Sequence, residues 1–559
     1  MPKDEIIQSL KNALKELGIE DFEPQIERPK DPQNGDFSTN AAMFAFRFVG
    51  KVTEAHVGEF KMATPKSNWG TPFELAKNLV NILNTKYKIP DTFSKVEAVS
   101  PGFINFYLSN EYLQSQIQDI ISKGDSYGQS ELNEGKKASV EFVSANPTGP
   151  LHIGNAVGGP LGDVLANVLS KAGYKVTREY LHNNVGGQVE RLGEAIYFTI
   201  HPDQKAEGYE VQYQGEYIKD LAKAVEEEMQ DKDMDLSSEK FMEEAGKIAV
   251  EILLTEILKD CEDMGIKYDV VRKESDLRRE VPEVLTKIEK FIKEKDGAEW
   301  FAPSDEFLKD RETVVRKSDG QYTYFASDIV YHNEKLSKND LVIDVLGSNH
   351  SGHVPRLQAA VKALGYDVKN FKVILYQYVR LKKGEEIVKM GKRSGNFVTA
   401  REVLDEVGKD AFRFFLLRSA PETHMDFDLE LAKKQASDNP VFYVQYAYSR
   451  INSIFKKTAK VSFGNSDLSL LREREEIAMI RHLLKLPELI DEVSHTFGVH
   501  AFTNYAIELA TFFHKFYEKH QVISENEKLT LARLALLEAT RITLKNTLDL
   551  LGVSAPERM

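Results

Sequence analysis

Residues 139–189, SVEFVSANPTGPLHIGNAVGGPLGDVLANVLSKAGYKVTREYLHNNVGGQV, decide the fold. Ser139–Val143 is a short β-branched and aromatic run, and the pairs Asn146-Pro147 and Gly149-Pro150 behind it cannot continue a strand. A helix can begin only near His152. From Ile153 to Lys171 the apolar residues fall largely at helical spacing, Gly173 is placed as a C-terminal cap, and Tyr174–Leu181 reads as the next strand. The unit is βαβ, the connection of a parallel sheet. A helix that starts at the carboxyl end of a parallel strand aims unpaired N–H groups and its positive dipole end at whatever lies above the sheet, which favours a phosphate.

Outward from this unit, strands expected at Asp340–Val345 and Lys372–Val379 enclose a helix at His353–Leu364 and continue the α/β pattern. Between the halves lies an acidic, strongly helical stretch at about 209–279, whose charge runs are most simply solvated helix faces. Ahead of the unit, helical and strand patterns alternate, and Pro101-Gly102 joins two strands as a tight turn. From Val403 the pattern is almost entirely helical. The expected architecture is a Rossmann-type parallel-sheet domain over 116–400, an N-terminal α+β domain over 1–115 and an all-α domain over 401–559.

Composition narrows the function classes. A chain of 559 residues is too long for one ordinary core. It has no apolar run of membrane-spanning length, and MPKDEIIQSL starts an amphipathic helix rather than a signal peptide, so a cytoplasmic protein without a membrane partner is expected. The single cysteine, Cys261, excludes an intramolecular disulfide and any cysteine-cluster metal site. A net charge of −14 does not exclude nucleic acid, because binding follows local basic surface.

Two motifs carry chemistry. His152-Ile153-Gly154-Asn155 places two polar side chains three apart at a helix start, with a glycine that lets a purine approach the backbone. His152 can donate to phosphates and Asn155 can add a neutral hydrogen bond, although an isolated histidine here would merely cap or pack. Much later, Lys389-Met390-Gly391-Lys392-Arg393-Ser394-Gly395 puts three cations in a glycine-containing loop able to close over a triphosphate and stabilise departing pyrophosphate. Alone, that loop reads as a basic surface turn. Together, the two motifs point to a nucleotide.

At these residues the sequence resembles the class I aminoacyl-tRNA synthetases, whose signatures are HIGH and KMSKS, and more narrowly the bacterial arginyl-tRNA synthetases. The resemblance covers essentially the whole chain: GDFSTNAAM (35–43), PGFINFYL (101–108), EFVSANPTGPLHIG (141–154), DGQYTYFASDIVYH (319–332), VPRLQAAVKALG (354–365), KDAFRFFLL (409–417) and APERM (555–559). It implies a catalytic Rossmann-type domain, a DALR-type anticodon-binding domain and an N-terminal domain that contacts the tRNA D-loop. It also implies activation of arginine by ATP, with Mg²⁺ as a substrate-associated partner, followed by transfer to tRNA(Arg). A monomer is expected. Asn155 stands where the signature has its second histidine and Gly391 where it has serine, which puts rate in doubt more than identity.

By the same resemblance His152, Asn155, Lys389, Lys392 and Arg393 are catalytic, and His152, Gly154, Asn155, Met390 and Lys392 hold ATP. A guanidinium is a planar fork of donors that keeps its charge, so its pocket needs a carboxylate in reach. The resemblance gives that place to Asp328 with Tyr324, one helical turn apart, and the α-amino and carboxylate end of the substrate to Glu141 and Asn146, with Gln188 and His350 nearby. Without it, Asp328 would be an exposed helix acid and Tyr324 a core aromatic. In the helical region Val444, Tyr448, Ile451 and Phe455 follow one face, and Tyr443, Tyr446 and Arg450 another. The second face suits splayed bases or, equally, a second packing surface. Phe103 and Asn105 resemble D-loop contacts. Two rivals stay open: another class I synthetase or related nucleotidyltransferase, and a tRNA-binding relative whose altered motifs no longer activate an amino acid.

Overall fold

The computed structural model describes residues 2–20, 22–49, 70–87, 91–230, 238–304, 306–308, 311–387, 398–458 and 466–559. The chain divides into two compact units: Met1–Gly124 with Ala459–Leu484 and Lys515–Thr540, and Asp125–Thr458 with Lys485–His514 and Arg541–Met559.

The second unit is built on a five-stranded parallel sheet in the order β5-β4-β1-β2-β3, where β1 is Lys137–Phe142, β2 Lys175–His182, β3 Val270–Lys273, β4 Leu341–Gly347 and β5 Phe371–Tyr376. Ala138–Phe142 is buried throughout, as a central parallel strand covered on both faces must be. The first helical segment is a short turn, α1 (Ile153–Ala156), followed by α2 (Gly158–Lys171), which lies against β1 so closely that a Cβ at Gly162 would fall within the Phe142 side chain. From β1 the chain winds one way to β2 and β3, and the pair β4–β5 is added on the other side. The crevice above β1 and β4 is therefore the topological switch point, where α/β sheets bind ligands.

Between β2 and β3 run α3 (Gly187–Ile200), α4 (Glu216–Gln230) and α5 (Ser238–Asp263), sealed by a cluster of Val189, Leu192, Ile196, Leu221, Val225, Ala249 and Leu253. The stretch expected to be helical as far as Arg279 returns to the sheet at Val270–Lys273, an edge strand only four residues long that sequence periodicity cannot register. From β3 the chain passes through α6 (Glu274–Lys287), a small antiparallel sheet of Ile292–Lys295, Ala298–Phe301 and Thr313–Arg316, and α7 (Tyr324–Lys338), which leads into β4. Helix α8 (Val354–Ala363) crosses to β5.

Two sequence expectations change beyond β5. The apolar run to Val379 is broken after Tyr376, and Val379–Lys383 belongs to a separate sheet with Glu386–Ile387 and Met425–Asp428. The region read as helical from Val403 thus contains a strand after α9 (Ala400–Val407) and α10 (Lys409–Leu416), before α11 (Pro440–Phe455), α12 (Ala501–Lys519) and α13 (Glu527–Leu551). The fully buried Arg413 of α10 reaches Asp163 of α2 at 2.6 Å and donates to the Leu551 and Met264 carbonyls, so three separate stretches of chain meet on one guanidinium.

The first unit carries a three-stranded antiparallel sheet with Phe103–Leu108 between Phe37–Thr39 and Phe93–Val99. Helix Asn110–Lys123 packs on Arg474–Leu483, and Asp36 pairs with Arg481 at 3.0 Å. The buried Glu476 pairs with Arg533 at 2.8 Å, consistent with the rule that a desolvated carboxylate needs a charged donor.

Candidate active site

The first motif sits where the β1–α1 loop reaches the switch point. His152 is the N-cap of α1, in extended conformation, and its Nδ1 accepts the Gly154 N–H at 2.8 Å, so its Nε2 carries the hydrogen. The capping expected of an ordinary histidine is therefore present, and it fixes which ring nitrogen can donate. Asn155 is exposed, and its carbonyl accepts the Tyr376 hydroxyl at 3.3 Å. The second motif, with Lys389, Met390, Lys392 and Arg393, lies outside the described residues. Residues just past it pair with the first: Ile153 N–H donates to the Val398 carbonyl at 3.2 Å and Ala400 N–H to the Leu151 carbonyl at 2.7 Å. A capping box between Thr399 and Glu402 starts α9 at that junction.

Beside it, above the β1 and β4 ends, opens a cleft of about 420 Å³ lined by Glu141, Asn146, Gln188, Tyr324, Asp328 and His350 together with Glu274, Asp344, His353 and others. All six residues assigned to arginine by resemblance come together there. The volume falls within the range for a small-molecule site.

Its two ends differ chemically. At one end Glu141, on β1, is held by Lys335 Nζ at 2.7 Å and by the Ser144 hydroxyl at 2.9 Å. Val143 and Ser144 both have positive φ, 68° and 35°, backbone strain of the kind that persists where surrounding structure over-determines it. That bend lets Ser144 Oγ also accept the Leu181 N–H, at 3.0 Å. Lys335, fully buried, bridges to Asp344 at 2.6 Å, and Asp344 receives His332 Nε2 at 2.8 Å. Burial raises Glu141 above the ordinary carboxyl value, with Lys335 opposing. For Asp344 burial also pushes upward, but Lys335 and His332 outweigh it and hold that carboxyl well below its usual range. Burial likewise disfavours the Lys335 charge, and the carboxylates around it more than restore it.

At the other end α6 and α7 face one another. Tyr324, 42% exposed, donates its hydroxyl to the Val185 carbonyl at 3.3 Å, and Asp328 Oδ2 meets His353 Nε2 at 2.8 Å. Tyr324 is thus no core aromatic and Asp328 no solvated helix acid. Between them Glu274 is buried, with Oε1 held by Arg278 and Oε2 without any hydrogen-bond partner. Burial raises its carboxyl to about 7. Burial and the neighbouring His353 lower His350. Asn146 takes a hydrogen bond from Asn183 at 2.8 Å.

Sequence reading missed Glu274, Lys335, Asp344 and His353. One signal was available: Tyr324, Asp328, Tyr331 and Lys335 repeat at four, three and four along α7, which puts a lysine on the buried face.

The nucleic-acid residues are placed less uniformly. Tyr446 is exposed, stacked between Phe442 (6.1 Å) and His514 (5.9 Å), and Arg450 donates to its hydroxyl at 3.2 Å. Tyr443 instead packs on His514 at 4.7 Å and bonds Thr511, a partly buried position. Val444, Tyr448 and Ile451 are core, while Phe455 is half-buried. Asn105 is buried, its amide oxygen accepting from Ser38 at 2.7 Å, and Phe103 is half-buried.

Residues 4–108 match the arginyl tRNA synthetase N-terminal domain, 116–454 the catalytic domain of class I tRNA synthetases (R), and 444–559 the DALR anticodon binding domain. The chain is 40% identical to the arginine–tRNA ligase of Carboxydothermus hydrogenoformans, over 99% of this chain and 98% of that one, and 37% identical to that of Staphylococcus aureus, over 100% and 99%. The Thermus thermophilus arginyl-tRNA synthetase structure shares the fold with a TM-score of 0.78 over the whole of both chains, at 21% identity. A Campylobacter jejuni structure, described as a putative arginyl-tRNA synthetase, matches at 0.73 and 32% identity over 81% of this chain and all of its own. With all three domain types in order and full-length relatives well above a third identical, the chain belongs to the arginyl-tRNA synthetases of class I.

Proposed function

We propose that this protein activates L-arginine with ATP and transfers it to the 3′ end of tRNA(Arg). The arginine carboxylate attacks the α-phosphorus of ATP and pyrophosphate leaves; a terminal ribose hydroxyl of the tRNA then attacks the acyl carbon and AMP leaves. No covalent enzyme intermediate is required, so the protein's contribution is positional and electrostatic. His152 Nε2 and Asn155 supply neutral donors near the phosphates, and Gly154 lets the nucleotide approach the backbone. Lys389, Lys392 and Arg393 neutralise charge on the departing pyrophosphate, and Met390 completes the nucleotide contacts. Mg²⁺ arrives on the phosphates of ATP as part of the substrate.

The observation that carries the reading is the pair of carboxylates, Asp328 and Glu274, at one end of a cleft whose other end presents Glu141 and Asn146. A side chain ending in a guanidinium and a backbone ending in an ammonium fit that division of charge. Gln188 and His350 border the same cleft. For the tRNA, the exposed Tyr446 with Arg450 offers a stacking platform for an unpaired base, supported by Tyr443 behind it. Phe442 also lines a hollow of about 580 Å³ with Lys409, Lys433, Gln445 and Met559, large enough for a nucleobase. Phe103 and Asn105 serve the tRNA as framework of their sheet.

Charging of total tRNA with each proteinogenic amino acid in turn tests this function. Arginine alone should be esterified, and Lys389→Ala or Lys392→Ala should lower the activation rate much more than arginine affinity. Charging with a different amino acid, or with none, would refute the proposal.

A further inference from the structure

Arg278 lies one helical turn after Glu274 on α6 and directs both Nε, at 3.1 Å, and Nη2, at 2.9 Å, to the single oxygen Oε1. Ion pairs at this spacing usually decorate a solvated face and add little to stability. This one does not decorate a surface: Glu274 is 1% exposed and borders the cleft. The Arg278 guanidinium also lies 5.7 Å from the centre of the Tyr324 ring, and a Cβ on Gly186 would come within 3.2 Å of its Nη2. Arg278 is thus wedged among Tyr324, Gly186 and Glu274, while Oε2 of Glu274 stays buried and unpartnered.

When ionised, Glu274 and Asp328 bring two carboxylates to this end, and Arg278 engages only Oε1 of Glu274. A substrate guanidinium supplies the donor that the buried Oε2 lacks. Building on the assignment of this cleft to arginine, we propose that Arg278 is a positioning residue of the amino-acid site: it clamps Glu274 by Oε1 as an anion and leaves Oε2 presented to the substrate guanidinium.

The groups around Glu274 agree. Burial is the largest influence on its carboxyl and raises it, Arg278 is the first to oppose, and Asp328 across the cleft adds to the rise. From α7, Tyr324 and the Ser327 hydroxyl also face it, and Arg191 and Glu190 of α3 act on Tyr324. On β3, Arg272 is engaged by Glu334 and Glu280, and Lys273 by Glu251, which leaves Arg278 as the cation on Glu274. His353 and His350 stand beyond Asp328.

Arginine binding by titration calorimetry between about pH 6 and 8.5, in two buffers of different ionisation enthalpy, tests the proposal on the full-length enzyme. Arg278→Met should weaken arginine binding at least about tenfold at neutral pH, equivalent to about 1.4 kcal/mol. The loss should deepen towards low pH, shrink towards high pH, and be accompanied by extra proton release on binding. Arg278→Lys should recover most of the affinity, and kcat at saturating arginine and the KM for ATP should stay near wild type in both. Arginine affinity equal to wild type at every pH, or a loss equal in both variants and independent of pH, would overturn the role of Arg278. Asp328→Asn separates this outcome from failure of the underlying assignment: if it too leaves arginine binding intact, the cleft does not hold arginine and the inference falls with it. Should Arg278→Met not fold, proton release by the wild type decides, because Glu274→Gln must abolish it.

Discussion

The two ends of the cleft hold similar numbers of charged groups and use them differently. Around Glu141 the charges satisfy each other: Lys335 contacts two carboxylates, His332 adds a second bond to Asp344, and the Ser144 hydroxyl donates to Glu141. Around Glu274 the pairing is incomplete: one carboxylate oxygen is buried with no hydrogen-bond partner, and the Asp328 carboxylate, partly exposed, meets His353. A network saturated in this way is a frame, because removing any member strands a buried charge. An end with unspent acceptors is a receptor, because the missing donor is the ligand. The difference predicts that loss of Lys335, the cation shared by Glu141 and Asp344, damages the fold, whereas loss of Asp328 or Glu274 damages recognition.

The largest effect should come from breaking the frame. Lys335→Met leaves Glu141 and Asp344 buried together without their shared cation and should cost about 3–5 kcal/mol of stability, read as a lower urea midpoint. A loss below about 1 kcal/mol would mean that the lysine is replaceable by packing alone.

At the receptor end, Asp328→Asn should weaken arginine binding by about 2–3 kcal/mol, less than for a fully buried pair because the Asp328 side chain is 21% exposed. The melting temperature should hardly move. A melting temperature that falls in step with affinity would erase the distinction between the two ends.

A smaller effect follows from protonation. Because burial raises Glu274 to about 7, the carboxyl is largely protonated below that pH and ionised above it. A cationic ligand therefore binds better as pH rises, by about tenfold or 1.4 kcal/mol between about pH 6 and 8. Glu274→Gln should flatten the profile. No corresponding rise is expected from the Glu141 end, where Lys335 already supplies the cation.

The smallest effect is a control outside both ends. Tyr446→Ala should weaken tRNA binding by about 1 kcal/mol, the low end for base stacking because Phe442 and His514 remain beside it. Arginine affinity should be unchanged; a change would show that the aromatic face and the cleft are not separate functions.

The receptor was more legible in sequence than the frame. Tyr324 and Asp328 share a helix one turn apart, and the motif that carries them is quotable as a string, so resemblance reaches them where spacing alone would not. Glu141 and Asp344 come from strands β1 and β4 and Lys335 from helix α7, and only the parallel register of the two strands, which sets Glu141 beside Asp344, makes them one cluster. Glu274 and Arg278 fall in the acidic stretch at about 209–279, whose charge runs read as solvated helix faces, and nothing in the local pattern marks this pair as buried. The βαβ unit was readable because its helix is long and its turns are marked by proline and glycine. Strands Val270–Lys273 and Met425–Asp428 were not, being too short to show a period of two.

The central claim is that the cleft recognises the charge of a guanidinium through an incomplete carboxylate set. The affinity ratio of arginine to citrulline, which has the same shape but a neutral ureido group, measures that claim most directly. The ratio should exceed about a hundredfold in the wild type, or about 2.7 kcal/mol, and collapse in the Asp328→Asn, Glu274→Gln double variant. Citrulline bound as tightly as arginine by the wild type would contradict it.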